Sequence, residues 1–493
     1  MINKFPENFV WGVSTSSYQI EGAVNTDGRG KTIWDTFCEV PGNIVDQTNG
    51  AVACDHYHRY PEDIRLMVEL GAKAYRFSTA WSRVQPEGFG GVNQGGIDFY
   101  NRLLDSLLEH NIEPWLCLNH WDLPQGLENL GGWRNRETSF RFAEYAEIMA
   151  RHLGDRIPYF ITHNEPNVVA LLGHGWGWHA PGIQSAEAVM AATHHLNLAH
   201  GLAVSAIRKT VPNVNIGTVI TMQPVVDWDI DPIGSTRLDA LFNRAFTDSA
   251  LLGTYPELLF DELTPFVEEG DMELIHQSLD FFGLNHYTTM RARSTPENAL
   301  GVEILAPPVE TPQTIKGWEI NPAMLYQQLL EFKDRYGNPP VYITESGCAS
   351  PDKLNVEGLV SDPDRVAYFR EYLHAASLAI EDGVNLKGYF AWSLLDNFEW
   401  AEGYTQRFGI IYVDFTTQKR IPKDSFYFLK NIFHNNHISP YHTQQSLIFL
   451  TVTHTCGILH IYKRRILKSH FFTLFIIVKT GKMHGRSKNA VNL

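Results

Sequence analysis

Glu165, in FITHNEPN, and Glu345, in VYITESGC, each close a short apolar run rich in β-branched and aromatic residues, and 180 residues separate them. A run such as Tyr159, Phe160, Ile161 and Thr162 is too short for a helix and has the composition of a buried strand. The polar residues that follow should therefore sit at the strand's carboxyl end. Two carboxyl groups placed in this way can divide acid–base and nucleophilic work, one donating a proton while the other stays an anion. Either glutamate alone reads equally well as one of 55 acidic residues capping a loop.

Something must hold those strand ends together. Eight strand-like runs, at residues 10–14, 74–78, 114–118, 159–162, 215–220, 281–284, 341–344 and 387–392, are each followed by a helix-compatible stretch or a long loop. Alternation of this kind builds a parallel sheet, and eight strands are the number at which it closes into a single (β/α)8 barrel with its chemistry at the C-terminal ends of the strands. The stretch 60–70, YPEDIRLMVEL, predicts a helix with Ile64, Met67, Val68 and Leu70 roughly on one face. A chain of 493 residues, 44% hydrophobic, can bury a large core, and no Gly/Pro/Ser-rich linker divides it.

Charge separates the last residues from the rest. The net charge is −15, which argues against nucleic acid as a partner. Residues 436–493 hold eight basic side chains and no acidic one, so the residues before them carry −23. We expect 1–435 to form the barrel and 436–493 to be a basic tail outside its core. The apolar runs of the tail, SLIFL and FFTLFIIV, fall short of the roughly 20 residues that span a bilayer. The N-terminus has no apolar stretch of the secretory kind before residue 10. Cys38, Cys54, Cys117, Cys348 and Cys456 are odd in number and lack CxxC spacing, so free thiols in the cytoplasm are expected rather than disulfides or a zinc site.

Seven segments occur in order: NFVWGVSTSSYQIEGA (8–23), YRFSTAWSRVQP (75–86), LNHWDLP (118–124), ITHNEP (161–166), GLNHYT (283–288), ITESG (343–347) and AWSLLDNFEWAEGYTQRFGIIYVD (391–414). Together they resemble glycoside hydrolase family 1 of the β-glucosidase type, a TIM-barrel family, from Phe5 to about Asn435. The resemblance implies a retaining mechanism without metal or cofactor. In that mechanism Glu345 attacks the anomeric carbon, and Glu165 protonates the leaving group and then activates water. It also implies that Arg76 and Tyr287 hold the nucleophile, that Asn164 donates to the sugar 2-hydroxyl, and that Gln19, His120, Glu399 and Trp400 read the other hydroxyls. Trp392 would lie under the sugar ring and Trp318, in KGWEI, would wall the outer subsite. Trp11, Trp34 and Trp81 are read as core.

His163, Ser346 and His286 depart from the common pattern of the family. His163 is expected to pack between neighbouring strands, and the loss of an amide at Ser346 puts the setting of Glu345 in question. Glu399 implies a neutral sugar, because a carboxylate there would repel a 6-phosphate. The expected substrate is a small β-glucoside or cello-oligosaccharide, with β-galactosides and β-fucosides as alternatives. A transglycosidase using the same residues also fits the motifs. A carbohydrate-binding protein without activity is the other alternative, although it would be expected to keep the tryptophans and lose one of the two carboxylates, and both Glu165 and Glu345 are present.

Overall fold

The computed structural model describes residues 3–438 and, as a separate unit, the backbone of two strands, Leu450–Thr455 and Ile458–Lys463, which pair antiparallel. The first unit is built on eight parallel strands: β1 Val10–Ser14, β2 Ala74–Ser78, β3 Glu113–Asn119, β4 Tyr159–Asn164, β5 Asn215–Thr221, β6 Phe281–Asn285, β7 Val341–Ser346 and β8 Leu386–Trp392. They close into a barrel in sequence order, with β8 pairing to β1. All eight expected runs form these strands. Several extend by one or two polar residues at the carboxyl end, because Asn119, Asn164, Asn285 and Glu345 remain in the ladder. The predicted helix at 60–70 begins earlier, at His56, and ends at Leu70, where Gly71 takes a left-handed C-cap.

Aromatic residues plug the barrel below the site. Trp115 stacks on Tyr159 with ring centroids 3.8 Å apart, and the rings of Phe281, Tyr342 and Phe390 pack around it at 4.8 to 5.1 Å. Gly12 makes room for this plug, since a Cβ there would lie 2.4 Å from the Phe390 ring. Above the plug the inward positions turn polar. On β2, Ala74 joins the apolar layer and Arg76, two residues on, faces the same way into the site.

Strict alternation would aim neither Asn164 nor Glu345 inward, and the register explains how they get there. Pairing shifts between Ile161 and Asn164 on β4 and between Ile343 and Glu345 on β7. Such a bulge inserts an extra residue and turns the next side chain to the other face. After the first shift His163 points out, stacking on Phe142 of the helix Glu137–Leu153 at 4.4 Å, and Asn164 points in. After the second, Glu345 points in and Ser346 points out toward Tyr368 of the helix Pro363–Glu381.

Ordered contacts continue three residues past Asn435, the end of the helix Asp424–Asn435. Asn436 adopts a left-handed φ of 53°. Its side chain accepts from Trp11 Nε1 at 2.9 Å and donates to the carbonyls of Phe5 and Pro6 at 3.1 and 3.0 Å. His437–Ile438 then pairs with Asn3–Lys4. The run 471–478 and most of 446–450 lie outside the described residues. Among the described residues no helix is long and apolar enough to cross a membrane. A chain stopped after Ile438 should keep its activity and its thermal midpoint. One stopped after Asn435 should lose about 2–3 kcal/mol, since three hydrogen bonds to the N-terminal segment disappear. Urea unfolding of the two truncations measures the difference.

Candidate active site

Arg76 is fully buried and has no route to solvent for its charge. Its Nη1 donates to Glu345 Oε1, and its Nη2 donates to Asn164 Oδ1 at 2.5 Å. The other oxygen of Glu345 accepts from the Tyr287 hydroxyl at 2.6 Å. A carboxylate with a guanidinium on one oxygen and a phenol on the other is held as an oriented anion.

Glu165 has a different environment. Its Oε1 accepts from Asn285 Nδ2 at 2.8 Å, and Asn285 is held in turn by Thr344 Oγ1 on its carbonyl oxygen at 2.7 Å. Asn285 also donates to Asn164 Oδ1 at 3.0 Å. With its oxygen committed to Arg76 and Asn285, Asn164 turns its amide toward His120 Nε2, 3.0 Å away. His120 therefore accepts on Nε2 and carries its proton on Nδ1, a buried atom with no partner among the described residues. Burial, then the nearby charge of Arg76, pushes the imidazole pKa well down, so the ring is neutral and offers one donor to a ligand.

The two carboxyl groups titrate apart for physical reasons. Burial, followed by the negative charge of Glu345, raises Glu165 to about 8, while the Asn285 bond and the charge of Arg76 partly oppose the rise. Burial raises Glu345 as well, but Arg76 and Tyr287 oppose it directly through contact. One shared proton therefore resides on Glu165. The backbone at Glu165 is left-handed, with φ 49° and ψ 57°, just before Pro166 opens the helix Pro166–His174. Its N–H donates to the Val219 carbonyl at 2.8 Å, which holds this uncommon conformation.

The remaining expected residues gather around this pair. Gln19 donates to Asn397 at 3.0 Å and to Glu399 Oε2 at 3.3 Å, and Ser16 holds its carbonyl oxygen at 2.6 Å. Trp392 and Trp400 lie nearly parallel to the His120 ring at 5.8 and 5.9 Å. Trp318 packs at 5.4 Å on Tyr287 and at 5.9 Å on Phe408. Trp11, Trp34 and Trp81 are buried, as expected of core residues, although Trp34 also backs Trp400 at 4.6 Å.

The three departures act outside the pocket. His163 Nδ1 accepts from Asn119 Nδ2 at 3.0 Å, and burial holds the ring neutral. His286 meets Gln328 at 2.8 Å and is pushed down to about 4 by burial. The Ser346 hydroxyl is 3.4 Å from Tyr368, so its side chain does not set the orientation of Glu345. Sequence reasoning missed Asn285, Trp121 and Lys316. Asn285 could have been found as a polar residue ending a buried strand, as Asn164 does. Trp121 donates to the Asn164 carbonyl at 3.1 Å from a left-handed backbone. Lys316 reaches Glu399 from a long loop and carried no local signal.

A pair of buried carboxyl groups at strand ends, one anionic and one protonated, flanked by tryptophans and buried polar side chains, has the parts of a glycosidase site. Comparison with known proteins agrees. The family described as Glycosyl hydrolase family 1 matches residues 1–438, and the chain belongs to it. It is 46% identical over 443 residues to beta-glucosidase A of Thermotoga maritima, covering 88% of this chain and 99% of that one. It is 44% identical to a bifunctional beta-D-glucosidase/beta-D-fucosidase of Bifidobacterium breve, covering 86% and 96%. The solved beta-glucosidase from Thermotoga maritima in complex with galacto-hydroximolactam superposes with a TM-score of 0.84 at 45% identity, over 89% of this chain and all of that one.

If the charge of Glu345 helps to hold the proton on Glu165, Glu345→Gln should lower the Glu165 titration from about 8 toward the ordinary carboxylate range. Carbon-13 NMR of labelled glutamate across a pH series reads the shift. A titration that stays put would show that burial alone sets it.

Proposed function

We propose that this chain is a retaining β-glycosidase that hydrolyses terminal, nonreducing β-D-glucosyl residues. The observation that supports this best is the unequal setting of two buried carboxyl groups, Glu345 held by the cation Arg76 and by Tyr287, and Glu165 held by the neutral side chains of Asn285 and Thr221. In the first step a Glu345 oxygen bonds to the anomeric carbon as the glycosidic bond breaks. The leaving oxygen takes the proton of Glu165. Once Glu345 is esterified its charge is gone, and Glu165, now an anion, falls in pKa and can accept a proton from water. That water attacks the anomeric carbon, releases Glu345 and restores the proton to Glu165. Asn164, oriented by Arg76, Asn285 and His120, would donate to the 2-hydroxyl as charge develops on the ring.

The rest of the reading follows from the walls. Gln19, Glu399, His120 and Trp400 would take the hydroxyls of the nonreducing sugar, Trp392 its C–H face and Trp318 the second sugar of a cello-oligosaccharide. A carboxylate at Glu399 favours a neutral sugar over a 6-phosphate. Similarity to the Bifidobacterium breve glucosidase/fucosidase supports tolerance of the β-fucoside. The free thiols of Cys38, Cys54, Cys117 and Cys348 support a reducing cytoplasm as the place of action.

Separate roles for the two glutamates have separate kinetic signatures. Glu165→Ala should slow glycosides with poor leaving groups far more than dinitrophenyl glycosides, and azide should restore turnover. Glu345→Ala should abolish both. Equal losses for both leaving groups in Glu165→Ala, without rescue by azide, would reject the assignment.

Glu399→Ser tests the sugar-reading carboxylate. The change should reduce kcat/KM for a nitrophenyl β-glucoside by about 2–4 kcal/mol, since charge-assisted hydrogen bonds to the hydroxyls are lost, and should narrow discrimination against the 6-phosphoglucoside. A native enzyme that already prefers the phosphorylated substrate would contradict this reading of Glu399.

A further inference from the structure

Lys316 stands in the loop between β6 and β7, in a turn with a rigid frame. Thr314 donates from its N–H to the Trp318 carbonyl at 2.9 Å, and Gly317, at φ +79°, donates to the Thr314 carbonyl at 2.9 Å. Positive φ with open space around the missing Cβ suits glycine at that turn. Glu319, two residues after Gly317, ties the turn to the start of the same loop by accepting from Arg291 Nη1 and from Thr289 Oγ1, each at 2.5 Å. Lys316 and Trp318 are thus presented together. The ammonium of Lys316 lies 3.3 Å from Glu399 Oε1, 4.8 Å from the Trp318 ring centroid and 5.8 Å from that of Phe408. With side-chain exposures of 17% for Lys316 and 9% for Glu399, the contact is screened far less than a surface pair.

We propose that Lys316 is a positioning and specificity-determining residue: it holds the sugar-reading carboxylate Glu399 in place and ties it to the aromatic wall of the outer subsite at Trp318. The proposal rests on the reading of Glu399 given above. The geometry divides the carboxylate between two partners, Gln19 on Oε2 and Lys316 on Oε1. An ammonium has three donors and spends one on Glu399. The others remain for oxygen atoms of an aglycone lying along Trp318, which favours a second sugar over an alkyl group.

Electrostatics point the same way. Burial raises the Glu399 carboxyl, and Lys316 opposes that rise by charge and by hydrogen bond. The other groups facing Glu399 are Glu402, which adds to the rise, Gln19, which opposes it, and Glu345 and Tyr287 across the pocket. Removing Lys316 therefore lets Glu399 protonate at a higher pH. An acid at this position loses part of its capacity to accept from sugar hydroxyls, so binding should weaken most on the acid side.

The test compares Lys316→Met, Lys316→Arg, Glu399→Gln and the double variant Glu399→Gln/Lys316→Met with the native chain, on a nitrophenyl β-glucoside from acid to neutral pH. Circular dichroism confirms that each is folded. Lys316→Met should raise KM about tenfold while kcat stays within about twofold. The KM deficit should deepen as pH falls, and Lys316→Arg should recover most of it. In the Glu399→Gln background the added Lys316→Met change should cost less than about twofold, since the charge it served is gone. An equal KM loss in that background, a deficit independent of pH, or an unchanged KM overturns the proposal. If Glu399→Gln alone leaves the kinetics untouched, the reading of Glu399 fails and the proposal with it. A defective Glu399→Gln beside a silent Lys316→Met sinks the proposal alone.

Discussion

One buried guanidinium sets the terms for this site. Two carboxyl groups taken from water into one pocket cannot both ionise at low cost, and a single cation decides which does. Arg76 touches Glu345 and not Glu165, while its second nitrogen fixes Asn164. Charge allocation and the orientation of Asn164 thus share one residue. Asn164 passes the constraint to His120, and Asn285 closes the ring by bonding both Asn164 and Glu165. Loss of Arg76 would remove the partner of an anion and the anchor of a donor network together.

Two local irregularities let the barrel supply this arrangement. An eight-stranded parallel barrel points alternate side chains inward, and its lower interior is filled with Trp115, Tyr159, Phe281, Tyr342 and Phe390. The register shifts on β4 and β7 re-aim the chain where the aromatic plug ends. They also explain the unusual residues beside each glutamate. His163 and Ser346 occupy the positions turned outward by the shifts, where they meet Phe142 and Tyr368 and leave the pocket unaffected.

Strand ends were the legible part of the site. Glu165 and Glu345 stand out because an apolar β-branched run ending in a carboxylate is a local pattern, and eight strand-like runs, two of them ending so, imply the closed sheet that the structure shows. The same logic extends to Asn285. Lys316 is different, because its contact with Glu399 spans 83 residues and depends on how a long loop folds back. The true end of the barrel was hidden for the same reason. Asn436 reads as the start of a basic tail, yet its partners are Phe5, Pro6 and Trp11 at the other end of the chain. Composition reports what a segment is made of, whereas these contacts depend on sequence separations that local patterns do not carry.

The central claim is that Arg76 makes Glu345, and not Glu165, the residue that bonds to the sugar. A 2-deoxy-2-fluoro β-glucosyl fluoride has a good leaving group, which needs little help from an acid, and a fluorine that slows both steps, so the covalent enzyme should accumulate. Mass spectrometry of the labelled chain and its peptides is the direct measurement. The account predicts one fluorosugar per chain, on the peptide carrying Glu345, with turnover recovering as a sugar acceptor releases it. Label on Glu165, or inactivation with no covalent adduct, would contradict it.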